Sequence, residues 1–491
     1  MTPPESRMNL TRTRAAWIVA SVAAAALIAK LALALTTYGT NDVYIYDQFS
    51  EWSRYIGVDL YRIDPWFNHP PSMIHLLHAL TWLSGFTAMP FAFWIRVPSI
   101  LADAGNLFLV WKLLGERVTE RSIFWALVLL AAAPPLILVS GFHGNTDSAV
   151  IFFLLLSIYL VQMKSSPWAA GAVYGLAHCI KIFPLITAPV ILLNLEGKAR
   201  RLKFCAAAGI VVLAAWSPYF FQDPKAVFER VLGYRSSYGV WGLSFLLDSA
   251  TGIAPRLQGL NAAFERYGAY ISLALVTWLS WRLSRRSPKA TLFAQAGLVF
   301  FFFLSVSSGF GVQYLAWLAP WAAGLGWLPA ATLYISSGVF LFRVYHMWSQ
   351  GFPWYLADSF TVGDWRGYFD HVQLICWISL LVVLIFAWKQ LLPLPSIPSS
   401  LRWGGALAAA LALYLILPRQ LPAPEPIGGK YDDAVRSINA QSYLDLSALL
   451  SYRGRYRESM ETARLARLLA PDAAAEAARI VAIDEAALKK K

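Results

Sequence analysis

Apolar stretches close to bilayer-crossing length recur along the whole chain, and basic residues cluster in short loops between them. A helix needs about 20 apolar residues to cross the hydrocarbon layer. Candidate spans fall at roughly 15–37, 91–113, 122–140, 147–163, 167–181, 182–195, 204–221, 267–283, 290–308, 312–326, 328–345, 372–389 and 402–418, about thirteen in all. Composition agrees. Charged residues make up 14% of the 491 and hydrophobic ones 58%, against about 25% and 45–50% in a soluble domain. So few charges cannot clothe a water-soluble surface, which excludes a soluble enzyme, a disordered chain and a disulfide scaffold. Cys179, Cys205 and Cys376 lie in apolar stretches and read as small core residues.

The net charge of +13 does not point to nucleic acid, because it is not a continuous stripe. It sits in clusters between spans: Arg12 and Arg14; Lys112, Arg117 and Arg121; Lys198, Arg200, Arg201 and Lys203; Arg282, Arg285, Arg286 and Lys289. That is the pattern of cytoplasmic loops. All four clusters share one side if 70–90 is an interfacial helix and 167–195 divides into two short helices near Lys181 and Pro184. The first apolar run is too long for a signal peptide and reads as an uncleaved anchor. The expected architecture is an all-α, polytopic membrane helical bundle with interfacial helices in its first external loop. Its N-terminus is inside and its C-terminus outside, in the inner (plasma) membrane.

This topology turns three loops outward. The first, 38–90, carries Asp42, Asp47, Glu51, Asp59 and Asp64; the second, 222–266, carries Tyr234, Arg235, Tyr238 and Trp241; the third, 346–371, carries Trp348, Trp354, Asp364 and Trp365. Residues 1–420 are expected to form the membrane domain, 421–429 a linker and 430–491 a helical tail. In the tail, Tyr443, Leu446, Ser447, Gly454, Tyr456, Ser459, Ala463, Ala466 and Pro471 follow the spacing of one repeat, and the segment resembles a single tetratricopeptide unit. A helical hairpin resting on the membrane domain and a module for a protein partner are both open readings.

Asp42 lies just past the first span, beside Asn41 and before Tyr44 and Tyr46. A carboxylate there can be ionised, partly desolvated and aimed at a membrane-held substrate, as a general base requires; equally, it can mark the water boundary. Phe67-Asn68-His69-Pro70-Pro71 follows. The prolines start a helix well, and His69 can share the cavity or serve as a structural hydrogen-bonder. Charges at span ends form the remaining group: Arg96, His143, Asp147, Lys181, Arg235 and Arg343. They can face a polar cavity or snorkel to the interface. Cations around one cavity suit a lipid phosphate. There is no His-Glu-x-x-His helix, paired-Cys motif or Asp-x-Asp near Asp42, and no phosphate-binding Gly loop. No metal or other cofactor is assigned, and bond-making chemistry without nucleotide needs an activated donor delivered by the membrane.

The order Asn41-Asp42, Phe67-Asn68-His69-Pro70-Pro71, Arg96-Val97-Pro98-Ser99, His143-Gly144-Asn145-Thr146-Asp147-Ser148, Lys181-Ile182-Phe183-Pro184, Tyr234-Arg235-Ser236 with Gly239-Val240-Trp241-Gly242, and Gln313-Tyr314-Leu315-Ala316-Trp317-Leu318-Ala319-Pro320 resembles the GT-C superfamily of integral-membrane glycosyltransferases. The nearest likeness is to the bacterial polyprenyl-phosphate-sugar-dependent branch. The resemblance implies a donor sugar on a polyprenyl phosphate, a lipid-linked or polymeric acceptor, and inversion at the anomeric carbon. It makes Asp42 the general base. Arg235, Lys181 and His143, in falling order, become candidates for the leaving phosphate, with Asp147, His69, Gln313 and Tyr314 completing the donor site. Two other classes fit the same composition: a transporter or flippase for lipid-linked sugars, which would show internal repeats and midplane charges, and a catalytically silent relative that only binds.

Overall fold

The computed structural model describes residues 11–63, 67–287, 290–349, 351, 354–359, 366–392 and 430–489. The expected span 402–418, the linker 421–429, and Asp64, Lys289, Asp364 and Trp365 lie outside them. The described chain is all-α apart from two ladders of two-residue strands. It divides into two compact units, one of Met1–Thr36, Asp42–Leu341 and Arg366–Ile416, the other of Thr37–Asn41, Phe342–Trp365 and Leu417–Lys491.

Seven helices of the described residues are long and apolar enough to cross a membrane: Arg12–Thr36, Phe91–Thr119, Arg121–His143, Asp147–Lys164, Lys198–Phe220, Trp327–Trp348 and Val372–Leu391. These seven coincide with seven of the roughly thirteen expected spans. Most of the other apolar stretches are helical but short. In chain order the helices used below are α1 (Arg12–Thr36), α2 (Asn41–Ile56), α3 (Ser72–Phe86), α4 (Val97–Leu114) and α5 (Arg121–Ala131). They continue with α6 (Asp147–Lys164), α7 (Pro167–His178), α8 (Ala188–Asn194), α9 (Lys198–Phe220), α10 (Gly242–Ile253), α11 (Gln258–Arg286), α12 (Leu292–Val306), α13 (Leu315–Ala323) and α14 (Trp327–Trp348). At 1.5 Å per residue, the 12 residues of α7 reach only about 18 Å, short of the roughly 30 Å hydrocarbon layer. The break near Lys181 and Pro184 is present, with a 3₁₀ turn Phe183–Thr187 leading into α8. Proline removes the N–H that would continue the helix.

Contacts within the larger unit sort the helix ends into two groups. At one end Arg12 meets Glu116 at 2.6 Å, the Ser122 hydroxyl accepts from the Trp327 amide, Gln162 accepts from the Phe293 amide, Asn194 donates to Gln295, and Ser287 meets the Leu391 carbonyl. The basic clusters adjoin these contacts in sequence: Arg117 and Arg121, Lys198 to Lys203, and Arg282 to Arg286. At the other end Arg62 meets Asp223 at 2.5 Å, and the first loop meets the turn after the π-helix. The basic clusters and Asp42 thus lie at opposite ends.

Two packing features hold this unit together. A Cβ on Gly171 or Gly175 would stand 2.2 Å from the Phe204 carbonyl oxygen or 2.8 Å from that of Ala208. The Gly-x-x-x-Gly face of α7 therefore brings its backbone directly against α9, as small residues do between membrane helices. Lys30 of α1 and Asp103 of α4 form a buried ion pair at 2.5 Å, with side chains 5% and 4% exposed.

In the smaller unit, Gly39–Thr40 pairs in parallel with Leu356–Ala357, and Asn41 Oδ1 accepts from the Ser359 amide and hydroxyl. The tail is three helices, Lys430–Tyr452, Tyr456–Leu469 and Ala474–Lys489. Ser447 and Ser459 exchange hydroxyl-to-carbonyl bonds across the first two at 2.9 and 2.7 Å, a spacing that only small residues permit. Tyr443 accepts from the Leu356 amide at 3.3 Å.

Candidate active site

Asp42 stands in the first turn of α2, where unpaired backbone N–H groups favour a negative side chain. Its carboxylate is 29% exposed. Oδ2 lies 3.0 Å from His143 Nε2 and accepts from Asn145 Nδ2 at 2.9 Å. Burial pushes its pKa up, but the His143 hydrogen bond and the charges of His143 and Lys181 outweigh burial and hold it below the ordinary carboxylate value.

The partners of Asp42 arrive more than 100 residues later because of a local irregularity. Pro134 interrupts the helix after α5, and the chain resumes as a π-helix, Ile137–His143, the kind of widened turn found at functional sites. It ends at Gly144 with φ +84°, where a Cβ would lie 2.3 Å from Val43 Cγ2. Only glycine tolerates both that angle and that approach. The turn then enters α6 with Asp147 at its first residue, fully buried.

Lys181, at the break between α7 and α8, ties these groups together. Its ammonium donates to Asn145 Oδ1 at 2.6 Å and to Asp147 Oδ2 at 2.9 Å. Asp147 Oδ1 accepts from the Trp317 indole at 2.5 Å. That indole is stacked between Phe183 (3.8 Å, 11°) and Tyr314 (3.9 Å, 24°). The result is one continuous chain of charge-assisted bonds, Asp42–Asn145–Lys181–Asp147–Trp317, walled by aromatic rings. The antiparallel pair Ser237–Tyr238 with Gly309–Phe310 brings the second outer loop alongside. There Tyr314 donates to Ser236 at 3.1 Å, and the Tyr234 hydroxyl faces both.

The residues singled out from sequence have different fates. Lys181, Asp147 and Tyr314 join the cluster. His143 joins it through Asp42, its Nε2 lying 3.0 Å from Oδ2 of the carboxylate. His69 packs its ring 5.2 Å from Tyr46. Burial first, then the charge of Lys181, push its pKa down to about 3 against the opposing pull of Asp42, so it is neutral at physiological pH and no cation for a phosphate. Gln313 is half-buried with its amide folded against Gly311. Arg235 stands apart: it is exposed and donates to the Glu265 carbonyl at 3.4 Å. Arg96 is buried and donates to the Leu33 carbonyl, while Arg343 is exposed on α14. Asn145, Trp317, Tyr46 and Tyr234 lie in segments named from sequence but have no role assigned there. Asn145 and Trp317 lie inside motifs already noted, but nothing in their spacing marks them. Among the described residues no three His, Cys, Asp or Glu side chains are grouped to hold a metal ion.

Residues 66–308, just under half of the chain, match the profile of glycosyltransferase family 87. GPI mannosyltransferase 1 of Saccharomyces cerevisiae is 23% identical over 287 residues, covering 52% of this chain and 68% of that protein. Among solved structures, ArnT from Cupriavidus metallidurans bound to undecaprenyl phosphate aligns over 76% of both chains, with a TM-score of 0.41 and 13% identity. The family profile, the mannosyltransferase similarity and the many apolar helices together make the chain similar to membrane glycosyltransferases.

Proposed function

We propose that the enzyme transfers a sugar, with inversion, from a polyprenyl-phosphate-linked donor to a lipid-linked or polymeric acceptor at the extracytoplasmic face. Asp42 acts as general base. The observation that carries this reading is the Asp42 carboxylate itself: at a helix N-terminus, part exposed, hydrogen-bonded by His143 and Asn145, and kept anionic. The acceptor hydroxyl gives its proton to Asp42 as its oxygen bonds to the anomeric carbon. The carbon–oxygen bond to phosphate breaks on the opposite face, and its electron pair leaves with the phosphate. Developing charge there needs a positive field, which Lys181 supplies from within the cluster. Arg235 supplies it from the rim beside Tyr234, where an exposed guanidinium can swing onto a phosphate. Asp147, His69, Gln313 and Tyr314 are assigned to the sugar hydroxyls, His69 as a neutral partner.

The distribution of charge supports this face. The basic clusters gather at the end opposite Asp42, and lysine and arginine stay on the cytoplasmic side. Residues 430–491 are read as an appended helical module of the protein, with a protein partner as its proposed ligand. The test is transfer by purified enzyme from a panel of polyprenyl-phosphate sugars, with the anomeric configuration of the product determined. Inversion is expected, and Asp42→Asn should lower transfer by about 10²-fold or more with donor binding kept. Arg235→Ala should raise the donor KM more than the acceptor KM. A retained configuration, or an Asp42→Asn enzyme of wild-type activity, would refute the reading.

A further inference from the structure

Asn145 is 2% exposed, and every polar atom of its amide is engaged. Its Oδ1 faces the Lys181 ammonium at 2.6 Å and the Thr146 backbone N–H at 2.7 Å. Both neighbours can only donate, so the atom between them must be the carbonyl oxygen. The amide cannot flip, and its NH₂ is therefore aimed at Asp42 Oδ2, 2.9 Å away. Its own backbone carbonyl accepts from the Ser99 hydroxyl at 2.7 Å, which anchors the residue from a second helix.

We propose that Asn145 is a positioning residue whose locked amide holds the Asp42 carboxylate in its reacting orientation as an obligatory hydrogen-bond donor. This inference rests on Asp42 being the base. His143 also touches the same oxygen, but an imidazole is a donor or an acceptor according to its tautomer and charge. The Asn145 amide donates whatever state His143 is in. It also makes Lys181 the common anchor of both carboxylates: directly for Asp147, and through one amide for Asp42. The other titratable groups facing Asp42 are His69 and Lys181, with Asp147, Tyr46 and Tyr234 in electrostatic reach.

The discriminating variant is Asn145→Asp, which preserves size and keeps an oxygen for Lys181 and Thr146. It replaces the NH₂ with a second carboxylate oxygen against Asp42. Two such groups cannot both ionise freely, so one titrates upward. The acid limb of the kcat/KM profile should move alkaline by about one pH unit or more, with activity partly restored at high pH and the donor KM changed less than kcat. Asn145→Ala, with folding checked by gel filtration and thermal melting, should move the limb the same way by less. A limb that stays in place in both folded variants would overturn the inference. So would an Asn145→Ala enzyme of wild-type kcat. Asp42→Asn is assayed alongside. If it is fully active, the base assignment itself has failed. If it is inactive while the Asn145 limbs stay put, only the role of Asn145 has failed.

Discussion

Removing the ammonium of Lys181 should reveal how much the second carboxylate depends on it. Asp147 is fully buried, and the Lys181 side chain is 14% exposed. In Lys181→Met, Asp147 keeps the Trp317 indole bond but loses its counter-charge, and Asn145 Oδ1 loses one of two donors. Breaking a buried pair by deleting one partner costs about 3–5 kcal/mol. The loss of one bond to a neutral, still-bonded acceptor adds about 1 kcal/mol. Lys181→Met should therefore be destabilised by roughly 4–6 kcal/mol, with transfer lowered as well. Asp147→Asn in the same background removes the stranded charge while keeping an oxygen for Trp317, and should recover most of that stability. The assay is equilibrium unfolding of wild type, both single variants and the double variant in one detergent, read as a double-mutant cycle. A Lys181→Met loss below 1 kcal/mol, or additive losses in the double variant, would refute the idea that the two side chains form one electrostatic unit.

Gly144→Ala should destabilise and inactivate together, because the new Cβ meets Val43 at 2.3 Å and φ is +84°. Relief by Val43→Ala, measured by thermal melting, should be partial, since the backbone angle remains unfavourable. Lys30→Met should destabilise by about 3–5 kcal/mol, and Lys30→Met with Asp103→Leu should return near wild type; unfolding of the two variants in parallel decides it. For His69 the folded pKa is depressed to about 3 from 6.5. The unfolded chain thus binds more protons between these values, and stability should fall as pH drops through that window. His69→Gln should flatten that slope in melting curves taken from pH 7 to 4, and an unchanged slope would show that other groups set it.

Much of the architecture was legible because hydrophobicity is a local property. The seven long helices coincide with seven of the expected spans, and the break near Lys181 and Pro184 falls where the proline and the charge placed it. Residues 167–181 and 182–195 are apolar enough to enter a bilayer, yet prolines leave helices too short to cross one. The site was legible only in part. Asp42, Lys181, Asp147 and Tyr314 stood out as polar groups near span ends, and they meet. Arg235 stood out by the same criterion, but its guanidinium points to the Glu265 carbonyl.

What the amino-acid order determined unaided is the membrane-embedded helical character, the segregation of basic loops, and a carboxylate placed just beyond the first span. Each depends on sums over neighbouring residues. What the tertiary structure decided is which distant groups share hydrogen bonds: His143 and Asn145 with Asp42, Trp317 with Asp147, Lys30 with Asp103. Those partners are separated by 73 to 170 positions. A hydrogen bond survives only a few tenths of an ångström of misplacement, so helix packing, the π-turn and one left-handed glycine had to set the distances that no local pattern encodes.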